Sequence, residues 1–468
     1  MQTLANPQRF LTGIQRTALT CAAATAAFVS TAAAQDDSVV IEAGTVVVKP
    51  GETIENGVIV IQDGRITAVG AQGDVEVPWD LPVIGGPDHV AFPGMVEAHS
   101  SRGMDRSNEN VDVAPFLDVR DSIDPINVYF EDCLRWGITT VNIQQGANCV
   151  IGAKGRIVKP MGITVEEMTV RPIHGLKLSA QPKSGKSRAT QAQALRTAFD
   201  DLRMYLEGIV QDAKDGGDYA KREALYQGRE LEGKDAEGRP MKGSAWTVEG
   251  LELIPRGAID EKQSPLLDLV EGRRAAYLYC GSPREVHTAL SIAKDNGFLG
   301  RTALVLGSSC WKAADVIAEA GVPVVLTGSL MYTERDPVTG EEVETFVPEV
   351  YADKGITYAL SSADSSTNSL WFQALRAIGH GLDKEAALAA VTTAPAEILG
   401  LSNDVGSIEA GKHGNVVLLT GDPLASDTWV DHVVIEGRHA YDRAADVRNK
   451  YVYEGEQPTG AKAGDGQN

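Results

Sequence analysis

The residues that first suggest chemistry lie in the stretch AFPGMVEAHSSRG, residues 91–103, where an apolar run ends in His99. Side chains alternate along a strand, so His99 and Ser101 face the same way if this run is a strand. Two histidines at that spacing could share a metal ion, but a serine hydroxyl is a poor substitute for the second imidazole. A lone histidine on a buried strand is more often a hydrogen-bonded core residue, so spacing alone leaves both roles open.

The middle of the chain, residues 91–401, contains the elements that would position His99. Short apolar segments alternate there with helical ones, as in RAAYLYCG followed by PREVHTALSIAKDNG and TALVLGSS followed by WKAADVIAEAG. Repeated units of this kind indicate a parallel sheet covered by helices, and their number favours an α/β fold with a closed (β/α)8 barrel. The active sites of such barrels lie where strands end, so residues just after the apolar runs are the functional candidates.

The two ends of the chain have a different pattern. Residues 35–90 contain short alternating strands, and the segment GVIVIQDGRITAVG places Asp63 and Gly64 at a hairpin turn. Similar strands return in residues 402–445, as in GNVVLLTGDPL and VDHVVIEGRHAYD. The pattern predicts a small composite β-sandwich domain built from both ends, followed by a disordered tail over residues 446–468.

The first 34 residues are typical of an export signal. Arg9 and Arg16 precede the small apolar stretch TALTCAAATAAFVSTAAAQ, which offers an A-x-A cleavage site after Ala34. An Ala-rich disordered arm is the alternative. The signal predicts a periplasmic or secreted protein.

The composition is that of an acidic globular protein, with 43% hydrophobic residues and a net charge of −21. Such a charge repels phosphate backbones and anionic lipid, which argues against nucleic acid and membrane surfaces as partners. No apolar run reaches the roughly 20 residues that a membrane-spanning helix needs. Four cysteines follow the predicted signal, and their spacing fixes no disulfide pairing: Cys133, Cys149, Cys280 and Cys310.

Several motifs resemble one family along most of residues 38–443. The first motif, FPGMVEAHS, resembles a strand that ends in a His-x-His pair. The second, GITTVNIQQGANCVIGAKGRIVKPMGITVEEM, resembles the next strand and its loop, and the third, GLKLSAQPK, resembles a segment that carries a strand lysine. AALAAVTTAPAEILGL and GSIEAGKHGNVVLLTGDPL resemble closing helices and final strands. In this order the motifs resemble the amidohydrolase superfamily, in the branch near imidazolonepropionase-like and other exported hydrolases.

The resemblance implies a (β/α)8 barrel with a β-sandwich-like domain, one or two divalent metal ions, and hydrolysis of amide-type C–N bonds by a metal-bound hydroxide. The resemblance places the family's metal ligands on His99, Lys177 and Asp364, and it implies that Asp364 is also the catalytic general base. Further family histidines fall on positions that have lost them: Ser101, Tyr279 and Leu306. The resemblance therefore implies one divalent ion, with zinc the first choice, at reduced occupancy or none at all.

Two functional hypotheses follow. The first is an exported hydrolase with one metal ion that acts on a cyclic amide or a small peptide-like substrate. The second is a metal-free pseudoenzyme, a binding or assembly subunit that forms a homo-oligomer or pairs with an intact relative. The sequence leaves the substrate and the oligomeric state open.

Overall fold

A computed structural model describes residues 37–216, 246–362 and 370–449. The predicted signal segment, residues 1–34, lies outside the described residues, as do Asp364 and residues 450–468 of the predicted tail. Asp446, the first residue of that tail, is described and accepts a hydrogen bond from Arg135 Nε at 2.6 Å. Over these described ranges, no helix combines the length and the apolar character needed to cross a membrane.

The described ranges contain strands and helices in mixed order, which confirms the predicted mixed α/β class. The strands are β1 Val39–Lys49, β2 Glu52–Gln62, β3 Arg65–Ala71, β4 Val83–Pro93, β5 Met95–Ser100, β6 Ile138–Ile143, β7 Ile151–Lys154, β8 Arg156–Val158, β9 Thr169–Arg171, β10 Leu176–Ser179, β11 Ala276–Cys280, β12 Thr302–Leu306, β13 Val324–Leu326, β14 Met331–Arg335, β15 Glu342–Phe346, β16 Tyr358–Leu360, β17 Val416–Leu419, β18 Val430–Ile435 and β19 Arg438–Asp442. The α-helices are α1 Val128–Arg135, α2 Val165–Met168, α3 Arg188–Asp215, α4 Ser264–Val270, α5 Pro283–Asp295, α6 Ala314–Ala320, α7 Val347–Asp353, α8 Leu370–Gly379, α9 Lys384–Ala389 and α10 Thr393–Ile398.

Strands from both ends of the chain form one seven-stranded sheet in the order β19-β18-β17-β4-β1-β2-β3. The β2–β3 hairpin turns at Asp63 and Gly64, which have φ values of 50° and 76°. Positive φ at both central residues matches the right-handed twist of the flanking strands, which explains this residue pair. β4 lies parallel to β1 and antiparallel to β17, and so joins the two ends of the chain.

A second sheet has the order β16-β13-β12-β11-β10-β7, and its first five strands are parallel. Helix α5 connects β11 to β12, and α6 connects β12 to β13. Such crossovers cover parallel strands, which explains why these strands are continuous apolar runs. Leu278, Leu304 and Val324 are fully buried in consecutive strands of this sheet.

A third sheet, β5-β6-β8-β9, carries His99, and its β5 strand contacts the chain just after β16. Ser361 Oγ donates a hydrogen bond to the carbonyl oxygen of His99 at 3.1 Å, and the backbone N–H of Ser362 donates to Glu97 Oε2 at 2.9 Å. The first strand of the predicted barrel region is therefore bonded to the segment that follows its last parallel strand. Closure into a complete barrel stays a prediction.

The four described cysteines are buried free thiols. Cys310 Sγ donates to the carbonyl oxygen of Cys280 at 3.2 Å. Burial raises the pKa of the Cys149 thiol to about 11 and that of Cys310 to about 12, which keeps both protonated at neutral pH.

Candidate functional site

The structure brings two of the predicted site residues into direct contact. His99 lies near the end of β5, Lys177 lies in β10, and the distance from Lys177 Nζ to His99 Nε2 is 2.7 Å. Both are buried, with 6% of His99 and 0% of Lys177 exposed. We call these two residues the His99–Lys177 pair.

The electrostatics of the pair keep the imidazole neutral. Burial lowers the pKa of His99 well below its usual range, and the positive charge of Lys177 lowers it further. The neutral ring accepts a hydrogen bond at Nε2, so the lysine ammonium is the donor across the 2.7 Å contact. Neutral imidazole is also the form in which histidine binds metal ions.

The three positions at which the family has histidine and this chain does not lie in different surroundings. The ring of Tyr279 lies with its centroid 5.5 Å from Lys177 Nζ, within the range of a cation–π contact. Leu306 ends β12 and is buried in the main hydrophobic cluster, opposite Cys280 and Leu326 in the neighbouring strands. Ser101 directly follows β5 and is buried. Neither an aliphatic chain nor the face of a phenol ring replaces an imidazole ligand.

Glu97 is a site residue that the sequence interpretation missed. It lies two residues before His99 in β5 and is completely buried, and its Oε1 atom has no partner among the described residues. Burial raises the pKa of Glu97 to about 7, although hydrogen bonds from Ser362 partly oppose this effect. An acid within the strand MVEAHS, whose other residues apart from His99 are apolar or small, is the signal that could have revealed it.

A chain of buried amides holds the strand next to β5 in place. Asn142 Nδ2 donates to the carbonyl oxygen of Ala98 at 3.0 Å, and Gln144 Nε2 donates to Asn142 Oδ1 at 3.0 Å. The bond from Asn142 to the Ala98 carbonyl and the bond from Ser361 to the His99 carbonyl fix the backbone before and after the His99 side chain. The imidazole is therefore presented by a rigid strand.

A cavity of about 460 Å³ lies among the loops that follow β5 and near β7. Its lining includes Met104, Asp105, Arg106 and Phe116 from the first loop and Lys154 from β7. The volume falls in the range of small-ligand pockets, and the lining offers charges of both signs.

The amidohydrolase family model matches residues 293–440 of this chain. The match includes β12, β13, β17 and β18, and it ends within β19. Over these residues the chain is similar to the amidohydrolase family, as the sequence motifs indicate.

Known amidohydrolases are among the proteins similar to this chain. Amidohydrolase tasK of Hapsidospora irregularis is 34% identical over 92 residues, which are 19% of this chain and 9% of that protein. The crystal structure of an amidohydrolase from Thermotoga maritima MSB8 aligns with a TM-score of 0.67 and 23% identity, and covers 86% of this chain and 100% of that one. A prolidase complexed with N-methylphosphonate-L-proline aligns over 87% of this chain and all of its own with 17% identity and a TM-score of only 0.48. The Thermotoga structure shows that the fold is shared.

The donor set tests whether a superfamily metal centre fits here. Among the described residues the site offers one neutral imidazole, His99, and one lysine amine, which binds metal only after carbamylation. Asp364, the third predicted ligand, lies outside the described residues. Within the described part of the chain, His99 belongs to no group of three or more His, Cys, Asp or Glu donors close enough to share an ion. The described donors alone are fewer than the three protein ligands of a catalytic zinc site, so a metal ion here needs Asp364 as well.

Proposed function

We propose that this chain is an exported hydrolase that cleaves a C–N bond of a small amide-type substrate at a site centred on the His99–Lys177 pair. The observation that carries the proposal is the 2.7 Å contact between His99 Nε2 and Lys177 Nζ. Two residues 78 positions apart, each singled out by the resemblance, meet at one buried point. The match of residues 293–440 to the amidohydrolase family model supports hydrolysis as the reaction class.

His99, carbamylated Lys177 and Asp364 are the residues that would hold one divalent ion in this proposal, with zinc the first choice. When bound, such an ion lowers the pKa of a water molecule and polarises the substrate carbonyl. Asp364 is the proposed base that takes the proton from the attacking water.

The described residues have defined parts in this proposal. His99 keeps an unprotonated nitrogen at neutral pH because burial, the larger cause of its lowered pKa, disfavours its charged form. Tyr279 covers Lys177 with its ring and excludes water from the amine. Glu97 holds β5 against the backbone of Ser362, and so fixes the distance between His99 and the segment that precedes Asp364 in the sequence.

The finer fold and location belong to the same proposal. Parallel strands β10, β11, β12, β13 and β16, the parallel pair β5 and β6, and the hydrogen bonds between β5 and residues 361–362 support a closed (β/α)8 barrel. The segment 1–34 supports export to the periplasm or beyond.

Asp364→Asn and His99→Ala test the proposal with a panel of cyclic amides and dipeptides and added zinc. We expect turnover by the wild-type chain and a loss of at least about 100-fold in kcat for Asp364→Asn, because the general base is removed. His287→Ala, an exposed histidine of α5, is the control and retains activity. Turnover that survives in Asp364→Asn rules out the proposed base.

A metal-free binding or assembly subunit is the second candidate. Its support is the ring of Tyr279 over Lys177 and the burial of Leu306 in the core, since both positions have lost the histidine of the family. In this case the lysine is satisfied by His99 and Tyr279 rather than by a carbamate. A chain without turnover that co-purifies with an intact amidohydrolase, or forms a homo-oligomer, supports this candidate. A chain that is monomeric and alone in solution counts against it.

A further inference from the structure

Three donors outside the His99–Lys177 pair, one from β4 and two from β18, meet in the seven-stranded sheet. His89 Nε2 lies 3.0 Å from Asp431 Oδ2, and His432 Nε2 lies 3.6 Å from the same oxygen. The described residues contain no other group of three His, Cys, Asp or Glu side chains whose ligand atoms lie this close together. We call these residues the His89–Asp431–His432 cluster.

The spacing of the cluster matches that of metal ligands. Donors at about 2.1 Å from a tetrahedral zinc ion are roughly 3.4 Å apart, and the two observed distances lie on either side of this value. Two imidazoles with one carboxylate suit zinc and neighbouring divalent transition metals, whereas calcium and magnesium prefer oxygen ligands. The side chains are between 21% and 27% exposed, so a hydrated ion can enter and keep a water ligand.

An irregularity in β18 explains how adjacent residues reach one point. Successive side chains of a regular strand point to opposite faces, which would separate Asp431 from His432. Here Leu418 pairs with His432 and Leu419 pairs with Val430, so Asp431 is the extra residue of a β-bulge. Bulges redirect side chains and are frequent beside functional sites. His89 enters from β4, which pairs with the other edge of β17.

The second ring nitrogen of His432 also has a partner. His432 Nδ1 lies 3.1 Å from His439 Nε2. Asp442 Oδ1 lies 3.9 Å from His432 Nδ1. Metal-binding histidines almost always donate their other ring N–H to a neighbouring acceptor, which fixes the tautomer. When His432 donates from Nδ1 to His439, its unprotonated Nε2 faces Asp431 and His89, where a cation satisfies both the lone pair and the carboxylate.

We propose that the His89–Asp431–His432 cluster binds one divalent transition-metal ion, with zinc the best match, and that this ion links β4 to β18. His89 and Asp431 are 342 positions apart, so the ion connects strands from opposite ends of the chain. A ligand that binds only the folded state stabilises it, so zinc raises the unfolding temperature. This site is independent of the proposed hydrolysis.

Cobalt and zinc binding to the full chain test the site, through the visible absorption of bound Co²⁺ and competition with Zn²⁺. We expect His89→Ala and Asp431→Asn each to weaken Zn²⁺ binding at this site at least about 10-fold, and His439→Gln to weaken it by a similar factor through its contact with His432. His287→Ala leaves this binding unchanged. Asp431→Asn keeps the shape of the side chain, and His439→Gln leaves all three ligands in place, so a folding defect in His89→Ala does not decide the result.

Two results overturn the proposal. Equal Zn²⁺ affinity in the wild type, Asp431→Asn and His439→Gln would place any bound ion elsewhere. Failure of the wild type to bind Co²⁺ or Zn²⁺ more tightly than Asp431→Asn would leave the cluster as a His–Asp ion pair only. A zinc-dependent rise in unfolding temperature that Asp431→Asn abolishes supports the link between β4 and β18.

Discussion

Replacement of Glu97 by glutamine tests the electrostatics around His99. The pKa of Glu97 is raised from its ordinary 4.5 to about 7, first by burial, with partial opposition from hydrogen bonds of Ser362, Ser361 and His99. Each pKa unit is worth about 1.4 kcal/mol, so ionisation of Glu97 costs the folded state about 3 kcal/mol. Glutamine has nearly the same shape and still accepts the hydrogen bond from the backbone N–H of Ser362, without a charge.

The sign of the pH dependence follows from the raised pKa. Below about pH 4.5 the carboxyl is protonated in both states, and the folded protein pays no penalty. Between about pH 4.5 and 7 the unfolded state releases its proton first, so the wild type loses stability as the pH rises, until the loss levels off above about pH 7. The stability advantage of Glu97→Gln over the wild type should therefore grow by about 3 kcal/mol across this window.

Urea unfolding of both proteins, followed by fluorescence at about pH 4.5 and about pH 8, measures this change. Glu319→Gln, at an exposed position of α6, is the matched control and should show a constant difference from the wild type. A difference between Glu97→Gln and the wild type that is the same at both pH values would refute a raised pKa at Glu97. It would also mean that the surroundings of β5 do not disfavour a negative charge on Glu97.

Two further predictions concern Lys177 and the β2–β3 hairpin. Lys177→Met removes the positive charge beside His99, so the pKa of His99 should rise. It should stay below its usual range because burial is the larger cause of the lowered pKa. A histidine NMR titration that gives the same pKa for His99 in the wild type and in Lys177→Met would contradict this contact. Gly64→Ala places a side chain at a φ of 76°, with its Cβ 3.3 Å from Glu436 Cβ, and should cost about 1–2 kcal/mol in urea unfolding. Gly300→Ala, which has open space around it, is the control, and equal losses in the two variants would refute the backbone argument.

Local sequence pattern predicted the mixed α/β class and one hairpin turn, whereas the closed barrel and the β-sandwich domain stay predictions. Alternating strands and helices gave the mixed α/β class, and the Asp63-Gly64 pair lies at a two-residue hairpin turn as its sequence indicates. These features depend on short-range rules that a single sequence contains. The resemblance singled out His99 and Lys177, and the structure places their nitrogens 2.7 Å apart. The predicted roles of these residues and of Asp364 stay predictions.

The features that the sequence did not predict depend on long-range contacts. The environment of Glu97 depends on a buried hydrogen bond that its carboxyl group accepts from the backbone N–H of Ser362, 265 positions later in the chain. The His89–Asp431–His432 cluster depends on a bulge at Asp431 and on a strand pairing across 342 positions. Neither the bulge nor the register leaves a periodic signal in the sequence. Burial and pairing had to be seen in three dimensions.

The proposal that the His99–Lys177 pair helps to bind a metal ion is tested most directly by the zinc content of a variant that lacks the His89–Asp431–His432 cluster. His89→Ala combined with Asp431→Asn removes that site, so zinc that remains after gel filtration reports on the His99–Lys177 pair. The account predicts about one zinc ion per chain, lost when His99→Ala is added. A folded protein that binds no zinc, or binds it equally with and without His99, would contradict a metal-dependent hydrolase and favour the binding subunit.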